Sequence, residues 1–194
     1  VYSLRLVVEG YHFTAFVDEK KVLDCVDPNS RYSSGRFGFG VWEAAVEIDN
    51  FIASSLRYQN DFSSSDTGFI NTTYTVGEGT GGFAGQNVYK NTGGASVSQG
   101  ARLGNYTEPE YIYSDGFANF DVKINSVINT TYDCFSFFFR AQPDFNYAYR
   151  VRIFTNKIVL SWHTTATNGT IAENTSVSFS TGTIYNISLT TEEN

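Results

Sequence analysis

The acidic residues offer the first candidate chemistry. Glu43 and Glu47 straddle an alanine pair, and Glu47 and Asp49 share one strand face by the two-residue period. Cleavage of a glycoside needs two carboxylates facing across a cleft, one of them held protonated. Acids spaced this closely along one strand have the pattern of a solvated face, so no catalysis is expected of them. His12 and His163 are the only histidines, too few to complete a zinc set with the two cysteines at their spacing. No glycine-framed nucleophile elbow accompanies them. The expectation is a protein that is not an enzyme and requires no cofactor.

Two other residue classes point to a compartment. Six Asn-x-Ser/Thr acceptors, at Asn71, Asn105, Asn129, Asn168, Asn174 and Asn186, predict covalent N-glycans on a secreted, extracellular protein. Cys25 and Cys134 would pair in such an oxidising compartment and tie the first 57 residues to the remainder. The alternative is a pair of buried free thiols. Trp42, Trp162 and the 13 tyrosines could stack on sugar rings, so carbohydrate is the alternative partner. A net charge of −7 argues against nucleic acid, whose binding requires a basic face. No run approaches the ~20 apolar residues of a membrane span. The absence of methionine predicts a processed chain or a segment of a longer one.

The elements that would position these groups read as β throughout. Residues 2–9 form an apolar-rich run, and Phe13 to Val17 is the next strand, followed by a turn over residues 18–21 and continuation at Val22-Leu23. Residues 36–42 and 45–52 alternate, as do 120–124, with glycines where a curved sheet bends. Phe137-Phe138-Phe139 lies in a run over 134–140 that suits a strand buried on both faces. Residues 147–153 and 157–162 make a hairpin around Thr155-Asn156, and 177–179 and 184–190 complete the set. The glycine-rich stretch 77–104 reads as surface bulges and turns, without the Lys-Ser/Thr ending of a phosphate cradle. Many short strands between turn signals predict a sandwich or jelly roll.

One strand is written twice. Tyr185, Ile187, Leu189 and Glu192 match Tyr2, Leu4, Leu6 and Glu9 at a constant offset of 183. A chain that starts and stops on one strand predicts a subunit of an array, with an end free to complete a neighbour.

The segment order then acquires a meaning. Tyr2 to Gly10, Phe16-Val17-Asp18, Gly35 to Gly40 and Val46 to Phe51 resemble the second half of the concanavalin A-like lectin/glucanase (laminin-G-like) jelly roll. Asn60-Asp61-Phe62, Ser114 to Val122, Phe138-Phe139-Arg140 and Tyr147 to Ile153 resemble its first half. The resemblance implies an all-β jelly-roll sandwich whose strand order is rotated, or completed by a neighbouring subunit. It divides the chain into residues 1–57, the closing strands donated to the adjacent subunit, and residues 58–194, the receiving body. Tyr2, Leu4, Leu6, Val8, Val46, Ile48 and Phe51 are then the assembly residues. The family's frequent calcium near its joined ends maps onto Asp49 and Asp61, while the Glu-x-Asp-x-x-Glu string of glycosidases on related folds is absent. The arrangement also resembles glycosylated jelly-roll fibrils recovered from natural waters, whose protomers link by strand exchange. The expected function is thus a structural, self-assembling homopolymer; a lectin-like module is the alternative.

Overall fold

A computed structural model describes residues 2–17, 20–41, 45–53, 58–61, 63, 69–71, 74–91, 99–103, 116–125, 135–142 and 146–192. Apart from one 3-10 turn at Gly81–Phe83, the regular structure among these residues is β, in two sheets. The larger sheet runs in the order β3 (Lys20–Val26), β2 (His12–Val17), β1 (Tyr2–Glu9), β16 (Ile184–Glu192), β11 (Gly116–Ile124), β5 (Val46–Ala53), β9 (Asn87–Asn91) and β8 (Thr75–Glu78), with β6 (Tyr58–Asn60) also on β5. The smaller sheet runs β15 (Asn168–Asn174), β14 (Ile158–His163), β13 (Ala148–Ile153), β12 (Phe135–Ala141), β4 (Arg36–Val41), β10 (Gln99–Leu103) and β7 (Phe69–Asn71). Among the described ladders only β1–β16 is parallel; the rest are antiparallel.

The sheets share one core, which makes the fold sandwich-like. Phe39 of the smaller sheet meets Phe120 of the larger edge to face at 4.9 Å, and Phe120 lies 4.9 Å from Phe137. Phe13 of β2 packs on Tyr149 at 5.0 Å and on Phe139 at 5.9 Å. Such pairs add roughly 0.5–1.5 kcal/mol each beyond the area they bury. The alternation read from residues 45–52 points Val46 and Ile48 into this core, both fully buried. Phe137 and Phe139 face it as well, within a strand buried along nearly its whole length.

Several expectations need correction. Residues 77–104 are not only bulges and turns, for they contain β9 and β10. The turn placed at 18–21 ends earlier, since Lys20 and Lys21 already pair with Val17 and Phe16. Residues 177–179 form no strand: the Phe179 amide donates to the Thr155 carbonyl at 2.8 Å and its ring packs on Tyr185, so the segment is an anchored loop. In the single chain, the strands of the block assigned for donation are seated among those of the body. The block's strands β1 to β3 extend the larger sheet from β16, β4 lies between β12 and β10, and β5 lies between β11 and β9. Each of these strands has backbone partners in those positions.

Candidate functional site

Among the described residues, several polar side chains join residues 2–53 to the rest of the chain. At one end of the sandwich, Asp27 follows β3 and is 1% exposed. Its carboxylate accepts hydrogen bonds from the Tyr149 hydroxyl at 2.7 Å, from the Asn29 amide at 3.0 Å and from the Arg31 guanidinium. Burial alone would push this carboxyl up, but the bonds from Tyr149, Asn29 and Arg31 outweigh it and hold it below the usual range. Burial and the Asp27 charge together raise the Tyr149 hydroxyl, which stays protonated and remains a donor.

Further contacts cross the same boundary. Arg140, 2% exposed, donates to the Gly10 carbonyl at 3.0 Å and the Tyr32 carbonyl at 3.2 Å. Its backbone sits at φ 47° within an irregularity of the β12–β4 ladder, a conformation a non-glycine residue adopts rarely. Tyr32 returns the contact by donating its hydroxyl to the His163 carbonyl at 2.9 Å. Asn174, at the end of β15, donates its side-chain amide to the Val22 carbonyl on edge strand β3.

On the opposite, non-core face of the larger sheet lie Glu47 and Asp49. They do share a strand face, but that face is covered and not solvated, with the two residues 3% and 4% exposed. The cover is the glycine-rich loop over residues 79–86. Gly79 is required there, since a Cβ would stand 2.6 Å from that of Phe83. Glu47 receives the Lys123 ammonium at 2.8 Å, the Thr80 amide at 3.0 Å and the Thr80 hydroxyl at 2.8 Å. Lys123 also donates to the Thr80 carbonyl. Burial pushes the Glu47 carboxyl up, and Lys123, Thr80 and Asn125 together bring it below its ordinary value. The group is fully engaged and offers no proton-transfer chemistry.

Beside this cluster Asp49 and Asp61 line one open pocket of about 320 Å³ with Ser63, Gln86 and Asn87. Every lining residue brings a hard oxygen donor, and none brings sulfur or imidazole, which is the donor chemistry calcium takes. Asp61 accepts from the Ser63 amide at 3.0 Å, the leading cause of its lowered pKa. Asp121 stands opposite Asp49 on the neighbouring strand. Among the described residues no group of three or more His, Cys, Asp or Glu converges as a metal site, so amide and hydroxyl oxygens would have to complete the shell.

Tyr2, Leu4, Leu6 and Val8 lie in β1 and pair with Tyr185, Ile187, Leu189 and Thr191; Phe51 pairs with Asn60. Their side chains lie outside the described residues. Asn71 ends β7 and Asn168 begins β15, the two edge strands of the smaller sheet; Asn174 ends β15, and Asn186 lies within β16. Glycosylation replaces one of the two amide hydrogens, so Asn174 could carry a sugar and still donate to Val22. Asn105, Asn129, Cys134 and Trp42 lie outside the described residues. Cys25 is a free, half-buried thiol that burial, with Asp24 and Asp27, pushes up to about 11. Trp162 is not an open platform, because Arg31 stacks 4.5 Å from its ring centre and Gly169 fits against its edge.

Sequence reasoning missed Asp27, Tyr149, Arg140, Lys123 and Thr80. Their alliances join residues 33 to 130 positions apart, apart from those within 27–32, and no local motif marks them. No protein-family model, no curated protein and no solved structure matches the chain.

Proposed function

We propose that this chain is a structural subunit of an extracellular, N-glycosylated fibre, built on a concanavalin A-like jelly roll in rotated strand order. Copies assemble head to tail when residues 1–57 of one occupy the body, residues 58–194, of the next. The observation that carries this reading is the way the first 53 residues are received. They supply inner strands to both sheets and are fixed by specific bonds from body residues Lys123, Arg140, Tyr149 and Asn174. A second copy's block would meet the same partners, so exchange alters only the connection between block and body. The glycan acceptors support the same reading. Asn71, Asn168 and Asn174 fall on both edge strands of the smaller sheet, where sugars would shield unpaired backbone from unplanned pairing. Calcium is the cation proposed for the Asp49 and Asp61 pocket, where it would neutralise like charges and fix the glycine-rich loop to the sheet.

Electron microscopy of natively purified, glycosylated protein tests the proposal. Filaments repeating at about one domain are expected; uniform single-chain particles would overturn it. The polar lining of the Asp49 pocket favours a second reading, a carbohydrate-binding module that recognises hydroxyls through Asp61, Gln86 and Asn87. Saturable binding of an oligosaccharide by isolated single chains, lost on Asn87→Ala, would select it.

A further inference from the structure

The duplicated strand and the one parallel ladder are the same feature. β1 and β16 lie side by side with Tyr2 beside Tyr185, Leu4 beside Ile187, Leu6 beside Leu189 and Glu9 beside Glu192. The offset that aligns their sequences is therefore the offset that aligns their backbones.

Each strand suits the other's position. β16 faces β11 with Tyr185 opposite Val122, Ile187 opposite Phe120 and Leu189 opposite Ala118. In that place β1 would set Tyr2, Leu4 and Leu6 against the same three partners. β1 faces β2 with Leu4 opposite Val17, Leu6 opposite Ala15 and Val8 opposite Phe13. There β16 would present Ile187, Leu189 and Thr191, the last replacing one β-branched residue by another. Between β2 and β11 a single strand of this direction pairs antiparallel on both sides. Two strands force a parallel ladder into a sheet that is otherwise antiparallel across the described pairs, and parallel pairing is slightly weaker per residue.

We propose that β1 and β16 are interchangeable occupants of one place in the larger sheet, between β2 and β11. When β1 closes directly onto β11, β16 is released to replace the β16 of a second copy of this chain, between that copy's own β1 and β11. Interchangeability stands on the two registers alone; the identity of the partner rests on the self-assembly reading. It narrows the joint between copies from the whole block to one nine-residue strand, each copy giving its β16 and receiving another's.

Full-length chimeras test the first half: one carries the 1–9 sequence at 184–192, the other the 184–192 sequence at 1–9. Both should keep the parent's circular dichroism and melt within about 4 °C of it; loss of the fold in either overturns interchangeability. For the second half, affinity-tagged and untagged parent chains are mixed and recovered on the tag. Untagged chain should coelute, and synthetic peptides of residues 184–192 and of residues 1–9 should abolish coelution alike. A 184–192 peptide carrying Ile187→Asp and Leu189→Asp should not. Coelution that neither peptide touches would sink the strand proposal and leave self-assembly standing. Absence of coelution would overturn both the exchange and the self-assembly reading.

Discussion

Asp27 and Glu47 both belong to the first 53 residues, are almost equally buried, and are satisfied in different ways. Glu47 meets a full counter-charge, Lys123, under a loop that excludes water. Asp27 is held mainly by a neutral phenol and backbone amides, with Arg31 reaching it from a partly exposed position. The first arrangement is sensitive to the loss of either member, because the survivor is a buried, unpaired charge. The second spreads its acceptors over several donors, so losing one leaves the others in place. A third acid, Asp24, meets Lys21 and His12 at the surface, where water substitutes for either partner.

These differences order the expected effects of mutation. Lys123→Met should destabilise the chain most, by roughly 3–5 kcal/mol, the range for breaking a buried pair by removing one partner. Denaturant unfolding would measure it, and adding Glu47→Leu should recover much of the loss. If the single substitution costs no more than a surface change, the counter-charge at Glu47 is not what holds the loop. Tyr149→Phe should cost less, about 1.5–3 kcal/mol, as one hydrogen bond to a charged acceptor is removed.

The pH response sharpens the contrast. Both carboxyls are held below their ordinary values of 3.8 and 4.5, so their stabilisation is complete above those values. It is lost as pH falls through the depressed folded values. Acid titration of stability should therefore flatten in the Asp27→Asn and Glu47→Gln double variant relative to the parent. At Cys25, a thiol raised to about 11 should alkylate slowly at pH 8 in the native protein and readily once unfolded, as followed by mass spectrometry. The smallest effect belongs to Asp24→Asn, which should leave the melting temperature unchanged within error.

The strands were legible wherever apolar alternation or a continuous aromatic run marked them. β4, β5, β11, β12 and the β13–β14 hairpin stand close to where the pattern places them. The polar edge strand β15, with its weakly alternating exposure, carried no such mark, nor did β9 within its glycine-rich surroundings. At the candidate site, period two correctly put Glu47 and Asp49 on one face but could not show what covers that face. The cover comes from residues 79–86, and its anchor, Lys123, from a strand 76 positions further along the chain. A local pattern reports a strand's two faces; only the tertiary path decides which of them is wet. Asp49 and Asp61 border one pocket, a proximity that their spacing along the chain does not show.

The parallel register of β1 and β16 also has a mechanical meaning. Tyr2 and Glu192 lie at opposite ends of a ladder of eight paired residues, about 23 Å apart along the strands. Tension applied between those two points slides the strands lengthwise past each other, loading all their hydrogen bonds at once. A hairpin pulled from its open end would instead unzip rung by rung. A domain pulled by these two points would meet the load with this ladder in shear.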